Sequence, residues 1–274
     1  GARAAAEPLN GLMESGCWES VCACLNDLAQ GRERCPFSII GSRDSLQLVY
    51  EVFSRDGGRY LPMLVQHNLL QSFVALLREE SVVCLHSWPK ELDGGSDALC
   101  LLVDLVSQSV FLPFSPPGPV DEELLQLVQR VLEGPAEVVA KVVGVLRLMA
   151  NSGKHSAPLA SDAYELPARL ISRLVLGHEL FGRQFVEAGG LRDGVLPRLL
   201  DGGNPPALLI DALLLVSQLA RSNKDYYAHV DGAEIYGQIK TLLAHEEAAV
   251  RAKACNLLGN LCRHSAYCYP ALLR

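Results

Sequence analysis

Two apolar segments in the last third of the chain superimpose when one is shifted by 42 residues. Ala207, Leu208, Ala212, Leu215, Val216, Leu219 and Arg221 fall on Ala249, Val250, Ala254, Leu257, Leu258, Leu261 and Arg263. The segments before them match under a shift of 44, which carries Val186, Leu191 and Leu199 onto Val230, Ile235 and Leu243. Within each segment the apolar positions recur at three and four residues, the period of a helix with one buried face. A helical unit of this length cannot bury that face alone. It must stack on copies of itself.

A helical period in the low forties marks an all-α, armadillo/HEAT-like helical-repeat solenoid, an α-α superhelix. Composition agrees: 49% of the 274 residues are apolar and only 6% aromatic, which suits stacked helices better than a sandwich or barrel. The formal net charge of −7 argues against a nucleic-acid partner, because binding through phosphates needs a basic field. It argues in the same direction against an anionic membrane surface. The nine cysteines are odd in number and several sit among apolar neighbours, where Cys acts as a small hydrophobe. With no sequon, signal peptide or membrane span in view, the expected setting is reducing and cytoplasmic. A chain that starts with Gly rather than Met is expected to be an excised fragment.

Residues 1–44 read as an N-terminal helix and linker, and 45–274 as the repeat array. Cys17, Val21, Cys24 (or Leu25) and Leu28 fall on one face of the first helix, and RERCPFSIIGS follows as a loop. Asp44 is expected to cap SLQLVYEVFSR, and the DGG at 56–58 to end it. A short and a medium helix then run to about residue 80. Pro89 and Gly94-Gly95 mark an insertion at 81–96, in which Trp88 either packs the loop down or stands as a surface anchor. Asp97 is the expected cap of the next helix, and the proline-rich stretch 112–119 is a rigid connector. Acids open the helix after it. A further helix is entered at Pro167, and two clear units close the array.

Chemistry is sparse. His178-Glu179 lacks a second His at 182, and Cys22-Ala-Cys24 lacks the spacer and second pair of a zinc site. There is no phosphate-binding loop, nucleophile elbow or kinase catalytic loop. No catalytic residue, metal site or cofactor is expected. Binding remains. Residues 179–273 resemble armadillo repeats, whose long third helix lines a concave groove and, in peptide-binding members, carries Trp-x-x-x-Asn. Here Asn260, Gln218 and Arg147 take the Asn position, and Asn256, Leu214 and Val143 the Trp position. A spacing of four puts each pair on one face. Arg147, Leu214, Gln218, Asn256 and Asn260 are therefore the candidate partner-binding residues, the alternative being solvated positions on a concave wall. The missing Trp speaks against a receptor for basic peptides. Arg221 and Arg263 recur at helix ends, where they offset the helix dipole. Of Tyr226, Tyr227, Tyr267 and Tyr269, two belong in the core. Tyr226 and Tyr267, with Trp88, are candidate edge anchors.

The stretch KACNLLGNLCRHS, the tyrosines after it and NKDYYAHVDGAEIYGQIKTLLAHE before it resemble the C-terminal armadillo-like region of the Fused family of serine/threonine kinases. The match runs through the last hundred residues. The resemblance implies a parent protein with an N-terminal kinase domain that these residues do not include. It implies roles in Hedgehog signalling and motile cilium assembly, and residence in the cytoplasm, the cilium and the nucleus. Its implied partners are Suppressor of Fused, Gli-type transcription factors, a kinesin-like scaffold, an Unc-51-like pseudokinase and the parent's own kinase domain. The function expected is a non-catalytic interaction scaffold. The alternatives are a structural block of the axoneme, or a cargo receptor for extended peptides.

Overall fold

The computed structural model describes residues 11, 15–31, 39–86, 88, 97–112, 121–132, 138–151, 162–177, 179–264 and 269–270. Every regular element among them is helical. The chain divides into two compact units, 1–138 and 139–274. The expected linker at 1–10, the first part of the expected loop at 32–38, residues 89–96 of the insertion and 113–119 of the connector lie outside the described residues.

The first unit contains α1 (Gly16–Ala29), α2 (Ile39–Arg55), α3 (Gly57–Gln66), α4 (Leu69–Leu76), α5 (Glu79–His86), α6 (Ala98–Phe111) and α7 (Glu122–Leu132). The long helices α2 and α6 pack on each other, and α4 packs on both α1 and α6. Asp97 caps α6 as expected: its carboxylate accepts from the amides of Leu99 and Cys100 at 2.7 and 3.1 Å. Such a cap supplies partners for first-turn N–H groups that the helix leaves open. Asp121 does the same for Glu123 and Leu124, both at 3.1 Å.

Three expectations in this unit are corrected. The helix expected from Asp44 begins at Ile39, so Asp44 lies inside α2 and pairs with Arg43 instead of capping. Ser45 bonds back to the Gly41 carbonyl four residues earlier, which keeps its hydroxyl within the helix. On α1 the buried set is Trp18, Val21, Cys22, Cys24, Leu25 and Ala29, with Cys17 exposed. Trp18 removes far more apolar area from water than Cys17, and so sets which way the helix faces. Finally, the start of the 81–96 insertion is helical, because Val82 and Leu85 share a buried face of α5.

The second unit contains α8 (Val138–Asn151), α9 (Asp162–Gly177), α10 (Glu179–Glu187), α11 (Val195–Leu199), α12 (Pro206–Ser222), α13 (Tyr226–Gly232), α14 (Tyr236–Leu242) and α15 (Ala248–Leu261), closed by a 3-10 turn at Cys262–His264. Helix α9 begins five residues before Pro167, which it carries inside. The long helices stack in order: α9 packs on α12, and α12 on α15. Leu208, Ala212, Leu215 and Leu219 are all buried, and so are Val250, Ala254, Leu257 and Leu261 42 positions on. The sequence match is therefore a match of core positions, and the second unit is an armadillo-like stack of short, short and long helices.

Side chains close the helix ends that the short elements leave open. Asn204 donates to the carbonyls of Arg198 and Leu199 at 2.7 and 3.0 Å, finishing α11. Arg251 reaches the carbonyls of His245 and Glu246 at 2.7 and 2.6 Å, just beyond α14. The Arg198 and Leu199 carbonyls close the last turn of α11, which a five-residue helix cannot satisfy internally, whereas those of His245 and Glu246 belong to the turn that leads into α15.

Candidate functional site

The candidate row lies on α12 and α15, with Arg147 on α8. Leu214 and Gln218 are half-buried, and Asn256 is exposed. Gln218 accepts a 2.6 Å hydrogen bond from Arg221 one turn along. That bond holds the amide at the helix surface and gives Arg221 a role beyond offsetting the dipole.

Asn260 is only 7% exposed. Its amide donates to Ser217 on the neighbouring α12, and its backbone carbonyl accepts from the buried Tyr227 hydroxyl at 2.8 Å. One residue thus ties α12, α13 and α15 together. A buried Asn costs stability unless its groups are paired, and here they are.

Arg147 is likewise engaged within the fold. Its guanidinium donates to the Ala188 carbonyl at 2.8 Å, finishing α10, and its Nε lies 3.1 Å from the Asp193 carboxylate. It does so across Gly189, whose φ of +81° suits glycine, and any Cβ there would sit 2.7 Å from the Arg147 Nη2. Trp88 is 8% exposed and packs down, the first of the two placements open to it. Tyr226 is half-buried, and Tyr267 lies outside the described residues. Leu214, Gln218, Asn256 and Tyr226 keep exposed surface, and so does Arg147, whose side chain is 31% exposed while it makes these contacts.

A charged rung joins the same long helices. Arg169 on α9 pairs with Glu165 at 2.8 Å and with Asp211 on α12 at 3.4 Å. Burial raises the Asp211 pKa above its ordinary value even though Arg169 pulls the other way. Asp211 lies 42 residues after Arg169, and Lys253 lies 42 after Asp211. The sequence reading missed this rung because it stopped the clear repeat register at residue 179. Carrying the same shift back one helix would have found it. Among the described residues, no three His, Cys, Asp or Glu side chains are grouped to hold a metal ion. No helix among them is long and apolar enough to cross a membrane.

No protein-family model matches the chain. The chain is 24% identical over 239 residues to the serine/threonine-protein kinase TIO of Arabidopsis thaliana, covering 77% of this chain and 18% of that kinase. It is 27% identical over 223 residues to the serine/threonine-protein kinase 36 of Mus musculus, covering 72% of this chain and 16% of that kinase. Both are Fused-family kinases, so the resemblance read from KACNLLGNLCRHS stands as weak homology. It reaches well upstream of the last hundred residues. The chain spans less than a fifth of the length of either relative. Among solved structures, a designed armadillo repeat protein, YIII(Dq)4CqI, aligns with a TM-score of 0.45 at 16% identity, covering 86% of this chain and 99% of its own. A set of armadillo proteins computationally designed for modular peptide recognition aligns with a TM-score of 0.44 at 15% identity, covering 88% and 99%.

Proposed function

We propose that the chain is a partner-holding, regulatory region of a Fused-type serine/threonine kinase, and that it holds its partner on the outward row of α12 and α15. The observation that carries this reading is the placement of Leu214 and Asn256 at equivalent positions of two stacked long helices, half-buried and exposed respectively, with the half-buried Gln218 one turn along from Leu214. Homology to two kinases over about three quarters of this chain supports the parentage. A stacked helical surface is formed before its partner arrives, so little ordering cost falls on the receptor side. The proposed setting is the cytoplasm and the cilium, in Hedgehog signalling and motile cilium assembly. The proposed partners are Suppressor of Fused, a Gli-type transcription factor, a kinesin-like scaffold, an Unc-51-like pseudokinase or the parent's own kinase domain.

The test is direct binding of each purified partner to the immobilised chain, beside a Leu214→Glu, Gln218→Glu, Asn256→Glu variant with an unchanged circular dichroism spectrum. At least one partner is expected to bind the wild type and to weaken at least tenfold on the variant. Absence of binding by all of them, or equal binding to both proteins, would overturn the reading. The rival reading, an axonemal block anchored through exposed aromatics, loses Trp88 as an anchor because that ring is packed down.

A further inference from the structure

The ion pair between Arg169 and Asp211 locates the stripe that α9 and α12 leave uncovered. Its side chains are 33% and 16% exposed, so the rung lies at the surface. Steps of three, four and seven residues from it stay on the same side of each helix. From Arg169 they give Arg173 and Leu176, and from Asp211 they give Leu214 and Gln218. None of these four is buried. Lys253 holds the register of Asp211 one repeat on, in α15, and is half-buried.

Charge along this stripe has one sign. The acids Glu165 and Asp211 are both answered by Arg169, at 2.8 and 3.4 Å. Beyond them, residues 166–177 of α9, 212–222 of α12 and 248–261 of α15 contain five cations and no acid: Arg169, Arg173, Arg221, Arg251 and Lys253. Arg251 is turned to the His245 and Glu246 carbonyls, and Arg169 to its two acids. Arg173, Arg221 and Lys253 remain around Leu176, Leu214 and Gln218.

Hydrogen bonding points the same way. Arginine only donates, so the 2.6 Å bond from Arg221 occupies the Gln218 oxygen and leaves the amide nitrogen as a donor. The polar groups around the centre of the row are thus cations and a donor. The centre itself is apolar, with Leu176 42% exposed beside the half-buried Leu214.

We propose that this row holds an acidic protein segment built around one bulky apolar side chain. That side chain covers Leu176 and Leu214, and carboxylates on either side of it face Arg173, Arg221 and Lys253. The inference rests on the reading of Leu214, Gln218 and Asn256 as the partner-holding surface, and adds the chemistry of what they hold. Donor-only surroundings select a ligand rich in acceptors, and a basic segment would meet cations of its own sign. The exposed leucine separates a protein segment from a bare polyanion, whose phosphates would leave it uncovered.

The test pans a phage-displayed library of random peptides on the immobilised full chain. Recovered peptides are synthesised with a fluorescent label and titrated by polarisation. Peptides with Asp and Glu around a Leu, Ile or Phe are expected, binding more weakly as salt is added. Affinity should fall at least tenfold on an Arg173→Glu, Lys253→Glu variant and also on Leu176→Ser, with melting temperatures checked for each. Replacing the peptide's acids by Lys should abolish binding to the wild type and restore it to the double variant. Recovery of no peptide overturns the proposal. Neutral or basic peptides that nevertheless weaken on the Leu214→Glu, Gln218→Glu, Asn256→Glu variant would overturn the acidic chemistry and leave the row as the binding surface. Acidic peptides indifferent to every one of these substitutions would overturn both readings. Equal competition by single-stranded DNA, with Leu176→Ser silent, would assign the row to polyanions and overturn the proposal as well.

Discussion

At the scale of single residues, the tightest constraint sits in the Gly189–Gly190 turn between α10 and α11. A Cβ on Gly190 would enter the space of the Phe185 ring, which is fully buried. The ring cannot swing aside without opening a cavity, so overpacking has no inexpensive outlet. Gly190→Ala is expected to destabilise the second unit by about 2–3 kcal/mol, read as a lower midpoint in urea with little change in slope. Cysteine reactivity follows burial in the same way. The Cys22 thiol is pushed up to about 12, chiefly by desolvation, whereas Cys17, Cys84 and Cys255 are exposed. At pH 8 the thiolate fraction at Cys22 is then about one in ten thousand. Brief iodoacetamide treatment followed by peptide mapping should find Cys17, Cys84 and Cys255 alkylated and Cys22 untouched. Labelling of Cys22 at a comparable rate would mean that α1 is not seated on its buried face.

At the scale of elements, the rung between α9 and α12 gives a pH dependence with a definite sign. Burial raises the Asp211 pKa, so the folded state holds that proton more tightly than the unfolded chain does. Stability from this group is therefore greatest at pH values below its unfolded pKa and declines as the pH rises through the folded pKa. Asp211→Asn should be neutral or stabilising at pH 7, by on the order of 1 kcal/mol, because Arg169 keeps its bond to Glu165. The advantage should disappear as the pH is lowered towards 4. Urea titrations at pH 4 and pH 7 read both numbers, and a variant less stable only at pH 7 would show that the ion pair outweighs the burial cost. The legibility of these elements from sequence is uneven for a physical reason. The 42-residue match located the core of α12 and α15 because buried positions repeat. Asp97 is legible as a cap because an aspartate directly before an apolar run has one strong local use. Asp44 has the same local signature, yet α2 starts five residues earlier, since tertiary packing can extend a helix through a good capping residue. Asn260 was legible as a special position on the third helix, but its amide lies inside the stack. Which side of a helix a polar residue faces depends on the neighbouring Ser217 and Tyr227, and a single helix's periodicity does not carry that information.

At the scale of the whole molecule, net charge and local charge point to different partners. The chain total of −7 favours a basic or neutral ligand, while α15 presents only basic charges. Over a Debye length of about 8 Å in physiological salt, a docked segment responds to its immediate surroundings more than to the chain total. The division into two units has an energetic counterpart. In a repeat fold each helix is stabilised by its neighbours, so a unit that holds its own core should fold without distant ones. Residues 133–274 expressed alone are expected to give a helical circular dichroism spectrum and a cooperative urea transition. Gly190→Ala should lower that transition as far as it does in the full chain. In the full chain, the signal of Trp18, which reports on α1 in the first unit, should keep its midpoint when Gly190 is replaced. Loss of helix in the 133–274 fragment, or a Trp18 midpoint that falls together with the mutated unit, would mean that the two compact units unfold as one cooperative body.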